Sequence, residues 1–258
     1  MPRLAANLSM MFNEHPFLDR FEAAAKAGFK GVEFLFPYDF PAAEIRRRLD
    51  DNGLTQALFN MPPGDWAAGE RGVASLPGRQ QEFADGVSKA LDYAGVLGCK
   101  LVHAMAGIPT GVAPVTAAAI YAANLDRAAE RAHAQGVKIV IEPINHRDMP
   151  GFHLNTMAQG AAIVDAIGRD RLGLQFDVYH CQVTEGDVTK RMEALLPVIA
   201  HMQIADVPLR NEPGTGEIGW KYVFERMDAL GYEGWTGCEY RPAGDTVAGL
   251  AWRKSFGV

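Results

Sequence analysis

Four side chains that carry oxygen ligands end or follow short apolar segments in the second half of the chain. They are Glu142, Asp177, Gln203 and Glu239, and successive members are 35, 26 and 36 residues apart. Each gap is close to the length of one strand-helix unit, so the four side chains fall at corresponding points of successive units. Taken singly, each residue is better explained as a polar strand end bonded to loop amides. Four such residues at corresponding points of successive strand-helix units favour a common site.

Three carboxylates at one site repel one another and raise one another's pKa values, and a divalent cation relieves that repulsion. Two glutamates, one aspartate and one amide oxygen form a hard ligand set that suits Mg²⁺ or Mn²⁺. The set contains no cysteine or histidine and is therefore poor for zinc. The sequence predicts a divalent metal site, for Mg²⁺ or Mn²⁺, formed by Glu142, Asp177, Gln203 and Glu239.

The elements that position these residues alternate regularly along the chain. Short apolar segments typical of strands cover residues 5–11, 31–36, 55–61, 100–106, 138–144, 172–178, 199–205 and 235–240. Segments with helical spacing fall near 17–28, 44–50, 83–94, 115–132, 157–167, 188–196, 222–230 and 246–254. Several strand candidates are continuously apolar, which is typical of parallel strands buried on both faces. Eight units of about 32 residues predict an α/β fold, a single (β/α)8 TIM barrel spanning residues 1–258 as one domain. A doubly wound open sheet is the alternative.

The reacting residues of such a barrel lie at the C-terminal ends of the strands and in the loops that follow. Five further side chains in such places are candidates for substrate binding: Asn60, Glu70, Arg71, His180 and Arg210. Glu70 and Arg71 belong to the longest predicted loop, 62–78, where a surface pair is the simpler explanation. His180, in the loop after the sixth strand, could bond a substrate hydroxyl, and Arg210 is a candidate for holding an anion.

Composition excludes several classes of function. The net charge is −6, which argues against a nucleic-acid partner because a duplex favours a basic face. No apolar run is long enough to span a membrane, and the N-terminus is a poor secretory signal. Three cysteines offer no paired framework, so a reducing compartment is expected. Residues 214–216, Gly-Thr-Gly, lack the strand-then-helix context of a phosphate loop. The sequence therefore predicts a cytoplasmic protein without a nucleotide cofactor.

Several longer motifs resemble a known family. The stretch VIEPIN at 140–145 resembles the fifth-strand metal motif of the xylose-isomerase-like barrels, and the rest of the chain is similar to their hydroxypyruvate isomerase branch. The matching stretches are ANLSMMF (6–12), GVEFLFPYDF (31–40), GDWAAGERG (64–72), IEPINHRDMPGFHL (141–154), QFDVYHCQ (175–182), HMQIADVPLRNEPGTGEI (201–218) and GCEYRP (237–242). The combination of GDWAAGERG with NEPGTGEI is specific, whereas Ile-Glu-Pro alone is not.

The resemblance implies an intramolecular oxidoreductase that interconverts hydroxypyruvate and tartronate semialdehyde through a cis-enediolate. It implies that Glu142 and Glu239 are the catalytic pair, and that the metal positions are Glu142, Asp177, Gln203 and Glu239. The wider superfamily often has histidine where Gln203 stands. The expected substrate is a small hydroxy-keto acid of glyoxylate or other carbohydrate metabolism. Barrels of this family often pair, and the sequence leaves a homo-oligomer open.

Three alternative activities remain on the same scaffold. A closely related branch acts on 2-oxo-tetronate, and a ketose 3-epimerase would use the same carboxylate pair on a longer, uncharged sugar. An abasic-site endonuclease is disfavoured, because that chemistry needs a histidine-rich metal cluster and a basic groove for DNA. Most of the seven histidines lie away from the four strand ends.

Overall fold

Eight parallel strands close into a barrel in sequence order in the computed structural model, which describes residues 2–258. The strands are β1 (Arg3–Asn7), β2 (Gly31–Phe34), β3 (Thr55–Asn60), β4 (Leu101–His103), β5 (Lys138–Ile141), β6 (Leu172–Asp177), β7 (Ile199–Ile204) and β8 (Trp235–Cys238). Closure follows from the pairing of β1 with both β2 and β8. The predicted TIM barrel is confirmed and the open sheet is excluded.

The helices cover the outside of the barrel. They are α1 (Arg20–Lys26), α2 (Ala42–Asn52), α3 (Gln80–Leu97), α4 (Pro114–His133), α5 (Met157–Ile167), α6 (Val178–Thr184), α7 (Val188–Leu195), α8 (Trp220–Ala229), α9 (Thr246–Gly249) and α10 (Trp252–Phe256). Helix α3 buries the apolar stripe read from the sequence, which includes Phe83, Val87 and Leu91. In the first half of α4 the expected stripe is wrong, because Val115 is exposed and Ala117 and Tyr121 are buried instead. The helix predicted over 246–254 is instead two short helices. None of the helices between residues 2 and 258 combines the length and apolar character needed to cross a bilayer.

Strand β1 ends earlier than the sequence predicted. Its apolar run continues to residue 11, but the chain turns after Asn7, whose side-chain Oδ1 accepts the backbone N–H of Ser9 at 3.0 Å. The carbonyl of Asn7 accepts the N–H of Met11 at 2.8 Å, which closes the turn. An asparagine that bonds its own downstream backbone competes with strand pairing. The turn leaves Asn7 at the C-terminal end of β1, buried inside the barrel.

His180 lies on a helix, and the prediction of a loop there is wrong. Helix α6 begins directly after β6 because Asp177 is its N-cap. The Oδ1 atom of Asp177 accepts the backbone N–H of Tyr179 at 2.7 Å and that of His180 at 3.4 Å. An aspartate in this position satisfies donors that would otherwise lack partners in the first turn. Asp177 therefore both ends a strand and fixes the direction of the helix that carries His180.

Candidate active site

Three carboxylates and one imidazole meet at the C-terminal end of the barrel. Glu142 follows β5, Asp177 ends β6, His180 lies in the first turn of α6, and Glu239 follows β8. One ligand atom from each of these four buried residues lies within 4.8 Å of the others. The structure thus brings together three of the four residues that the spacing placed in a metal site, and adds His180 to them.

Burial makes these carboxyl groups weak acids. The pKa of Glu142 is well above its usual value because the group is buried and because Glu239 and Asp177 lie beside it. Burial also raises the pKa of Glu239 to about 8, although Arg210 opposes the shift. The pKa of His180 is well below its usual value, first through burial and then through the charge of Arg210. At neutral pH the cluster therefore holds protons that solvent-exposed carboxyl groups would have lost.

The cluster has the properties of a cation site. The Oε1 atom of Glu142 is buried and has no hydrogen-bond partner among the described residues. A buried carboxylate oxygen without a donor is costly, and a cation would satisfy it while relieving the repulsion between the carboxylates. This buried group of acidic residues could hold a metal ion.

Arg210 is the cation that the fold itself supplies to this cluster. Its Nη2 atom donates to Oε2 of Glu239 at 2.5 Å and lies 3.4 Å from Oδ2 of Asp177. The guanidinium carbon lies 5.0 Å from the centre of the Tyr179 ring. Burial lowers the pKa of Arg210, but Glu239 and Asp177 raise it by more, so the side chain stays charged. Its Nε atom is buried and has no hydrogen-bond partner among the residues that the structure describes.

A single aspartate organises the loop that carries Arg210. Oδ1 of Asp206 accepts the backbone N–H groups of Val207 and Ile218, and Oδ2 accepts those of Gly214 at 2.8 Å and Gly216 at 2.9 Å. The Gly-Thr-Gly stretch therefore gives two of its amides to a carboxylate of its own chain. This agrees with the expectation that it is not a phosphate loop.

Gln203 belongs to a layer of hydrogen-bonded side chains beside the carboxylate cluster, which we call the floor of the site. The floor consists of Asn7, Glu33, Gln175, His201 and Gln203. Its Oε1 accepts a hydrogen bond from Gln175 at 2.6 Å, and its Nε2 donates to Oε1 of Glu33 at 2.8 Å. Glu33 also lies 2.6 Å from Nε2 of His201 and accepts a hydrogen bond from Asn7 at 3.0 Å. Other side chains therefore bond both the oxygen and the nitrogen of the Gln203 amide. Its role as a metal ligand stays a prediction.

Sequence reasoning missed this floor. Asn7 connects it to the carboxylate cluster, because its Nδ2 also lies 3.3 Å from Oε1 of Glu239. Glu33 is a charged residue inside the apolar strand β2 and is almost fully buried. A charge in such a strand is rare unless it is paired. That was the signal in the sequence, and its partner His201 stands 168 residues away.

The other candidate residues contact groups outside the cluster. Glu70 accepts hydrogen bonds from Arg79, the shorter at 2.6 Å, which lowers the pKa of the carboxyl group to about 2. Arg71 stacks its guanidinium 3.9 Å from the centre of the Trp66 ring. Asn60 is buried at the end of β3, where its carbonyl accepts a hydrogen bond from Tyr38. A part in substrate binding stays a prediction for Asn60, Glu70 and Arg71.

Gly237 of β8 should not tolerate a side chain, because a Cβ there would overlap the carboxylate of Glu33. We expect Gly237→Ala to displace Glu33 and to lower the free energy of unfolding by about 1–3 kcal/mol. Activity should fall as well, because Asn7 and Gln203 lose their common partner. Gly95→Ala on the exposed side of α3 is the control, since a Cβ there meets nothing and should stabilise the helix. Urea unfolding and kcat measure both effects; equal results for the two variants would contradict the prediction.

The stability of the metal-free protein should fall as pH rises from about 6.5 to about 8. In this range Glu239, with a pKa of about 8, and Glu142 keep protons in the folded state that they release on unfolding. His103 and His180, with lowered pKa values, are neutral in the folded state, so their protonation in the unfolded state opposes this slope near pH 6.5 and fades by about pH 7.5. Each carboxyl contributes up to about 1.4 kcal/mol per pH unit.

Urea unfolding in EDTA at a series of pH values measures this slope. Glu142→Gln should reduce it. Saturating Mg²⁺ or Mn²⁺ should largely abolish it, because a metal ion binds the ionised carboxylates, which then carry no protons in either the folded or the unfolded state. Stability that rises with pH in EDTA over this range would show that the cluster is ionised in the folded protein.

Comparison with known proteins agrees with this architecture. The sequence profile of the family described as xylose isomerase-like TIM barrel matches residues 21–256. A 2-oxo-tetronate isomerase of Cupriavidus necator is 58% identical over 99% of both chains. The hydroxypyruvate isomerase of Escherichia coli is 47% identical over 99% of this chain and 100% of its own.

A solved structure from Brucella melitensis, described as an AP endonuclease of family 2, shares 48% identity over 99% of both chains with a TM-score of 0.97. Its similarity extends over the barrel and the loops at both of its ends. Given these full-length matches and the buried carboxylate cluster at the strand ends, this chain belongs to the xylose isomerase-like TIM barrel family, alongside the hydroxypyruvate and 2-oxo-tetronate isomerases.

Proposed function

We propose that this protein is an isomerase that interconverts hydroxypyruvate and tartronate semialdehyde. The observation that carries the proposal is the pair Glu142 and Glu239, two buried carboxyl groups with raised pKa values that offer oxygens within 4.8 Å of each other. A carboxyl group whose pKa is raised is a better proton acceptor when ionised and still carries a proton to donate when it is not. The pair is close enough to flank a three-carbon substrate.

The reaction moves a carbonyl group by one carbon. One glutamate removes a proton from the hydroxymethyl carbon of hydroxypyruvate, and the electron pair forms the double bond of a cis-enediolate. The second glutamate delivers a proton to the neighbouring carbon, while the hydroxyl proton passes from the terminal oxygen to the adjacent one. No atoms are gained or lost. Glu142 and Glu239 exchange roles in the reverse direction.

Arg210 is the residue that we assign to the substrate carboxylate. Three of the candidate substrate-binding residues could pair with a carboxylate: Arg71, His180 and Arg210. Arg71 is stacked on Trp66 and His180 is neutral, whereas Arg210 is charged and reaches the cluster. A carboxylate favours the planar donor pattern of a guanidinium, and the buried Nε–H of Arg210 has no partner among the described residues. A charged substrate would in turn satisfy this buried donor.

Glu142, Asp177 and Glu239 would hold Mg²⁺ or Mn²⁺, with Gln203 as the fourth ligand expected from the sequence. The ion, when bound, supplies electrostatic stabilisation of the negative charge that develops on the substrate oxygens. The three cysteines are free and buried, which suits the reducing cytoplasm that we propose as the location.

The second candidate substrate is 2-oxo-tetronate, because the Cupriavidus necator isomerase named for it is 58% identical to this chain. The test is an NMR assay in D₂O, with and without EDTA, of hydroxypyruvate, 2-oxo-tetronate and a free ketohexose. We expect deuterium incorporation and product from hydroxypyruvate at the higher kcat/KM. A higher kcat/KM for 2-oxo-tetronate would identify that compound as the substrate and leave the proposed proton-transfer reaction unchanged. Turnover of the ketohexose alone, or cleavage of abasic DNA, would overturn the proposal.

A further inference from the structure

His180 faces the carboxylate cluster with one nitrogen and a loop asparagine with the other. Its Nε2 lies 3.8 Å from Oε1 of Glu142 and 3.7 Å from Oδ2 of Asp177, too far for a hydrogen bond to either. Its Nδ1 lies 2.6 Å from Nδ2 of Asn145. The ring is therefore held firmly on the Asn145 side, and its Nε2 is directed into the site without a partner.

The amide of Asn145 has only one orientation that satisfies its neighbours. Its Oδ1 accepts the backbone N–H of Asp148 at 2.8 Å, and its Nδ2 lies 3.5 Å from a carboxylate oxygen of the same residue. The reversed amide would place its nitrogen against a donor and its oxygen near a carboxylate. The group that faces His180 is consequently the amide NH₂, which can only donate.

This geometry determines where the proton of His180 resides. Since the NH₂ of Asn145 donates to Nδ1, that nitrogen carries no proton, and the backbone N–H of Asn145 points to the same atom at 3.4 Å. The remaining proton of the imidazole is then on Nε2. An Nε2 that carries a proton has no lone pair to offer to a metal ion.

We propose that Asn145 is a positioning residue that selects the Nε2–H tautomer of His180, so that His180 donates a hydrogen bond to a substrate oxygen and stays outside the metal shell. The part of this inference that concerns the substrate rests on the proposed function; the tautomer does not. A donor fixed in advance and directed at the position of a developing oxyanion needs no reorganisation during the reaction.

The tautomer is tested without substrate by ¹⁵N NMR of protein labelled at histidine, with His180→Gln used to assign the resonances. We expect an unprotonated Nδ1 and a protonated Nε2 for His180 at neutral pH, unchanged when Mg²⁺ is added. A protonated Nδ1, or loss of the Nε2 proton on addition of Mg²⁺, would overturn the inference. This result is independent of which keto acid is the substrate.

Asn145→Asp tests the positioning role. The variant keeps an acceptor for the Asp148 N–H but turns a second acceptor toward His180, so Nδ1 should gain a proton. The Nε2 donor is then lost, or an imidazolium pairs with Glu142 and Asp177; in both cases we expect kcat to fall about 10²-fold. The KM should change much less than kcat.

Asn155→Asp is the matched control, since Asn155 makes the same type of contact to Nδ1 of the partly exposed His146 at 3.3 Å. It should leave kcat and the His180 signals unchanged. His180→Gln, which can place an amide donor near the former Nε2, should retain at least tenfold more kcat than His180→Leu. An Asn145→Asp variant with the kcat and NMR signature of the unmodified protein would refute the role of Asn145.

Discussion

Replacing either Glu142 or Glu239 with glutamine should lower kcat on hydroxypyruvate by about 10³-fold or more. Glutamine keeps the shape of the side chain but can neither accept the carbon-bound proton nor return it, and general acid–base catalysis contributes roughly 10²–10⁴-fold at each position. The fold should persist, because glutamine has the shape of glutamate and a neutral amide avoids the cost of burying a charge, the same cost that raises the pKa values of both glutamates in the metal-free protein. At pH 8 we expect each variant to be at least as stable as the unmodified protein.

Isotope exchange separates the two glutamates. The variant that lacks the base should neither release the proton of the hydroxymethyl carbon to solvent nor form product in D₂O. The variant that lacks the acid should still exchange that proton while product formation stops. Glu130→Gln, on the exposed side of α4, is the control and should behave as the unmodified protein. Near-normal kcat in Glu142→Gln or Glu239→Gln would remove that residue from the mechanism.

Replacing Arg210 with methionine should lower kcat/KM for hydroxypyruvate by about 10³-fold, with KM raised and kcat lowered. The change removes the proposed donor to the substrate carboxylate and leaves Asp177 and Glu239 without their buried counter-charge. Breaking a buried charge pair by removing one partner costs about 3–5 kcal/mol. Arg210→Lys should recover only part of the loss, because an ammonium group cannot reproduce the planar donor pattern.

Arg71→Gln supplies the comparison for this prediction. Arg71 was the other arginine considered for the carboxylate, and its guanidinium stacks on Trp66. We expect its replacement to change KM several-fold at most. Steady-state kinetics of the three variants decide the assignment: a larger rise in KM for Arg71→Gln than for Arg210→Met would transfer the carboxylate contact to the loop 62–78.

The barrel and the carboxylate cluster could be predicted because each depends on a local pattern. The run Ile139–Ile141 is apolar on both faces, and Glu142 follows it directly, so strand end and side chain are read together. The floor could not be predicted. Its members come from different strands and meet only in the closed barrel, where the pairing of β2 with β3 also skips one residue of β3 between the partners of Val32 and Glu33. A pattern of period two cannot anticipate such an irregularity.

Helix α6 was missed for a related reason. Its seven residues, Val178–Thr184, are too short for a clear helical stripe, and the capping role of Asp177 was hidden behind its role at the end of a strand. The contact between Asn145 and His180 spans 35 residues and depends on side-chain directions in two different elements. Neither propensity nor spacing determines such a contact.

The backbone carbonyl of Arg210 accepts the N–H of Arg241 at 2.8 Å, so the loops after β7 and β8 are joined beside the catalytic pair. Because Asp206 also fixes the loop after β7, Arg210 and Glu239 form one rigid wall of the site. Neither residue can move away from the substrate without the other. Any broadening of substrate range, by natural drift or by laboratory evolution, must then come from the opposite wall. The long segment 62–78 follows β3, which lies four strands from β7 around the barrel, and it is linked to the start of α3 by the ion pair of Glu70 and Arg79. Libraries aimed at longer keto acids should concentrate on that segment and leave the rigid wall intact.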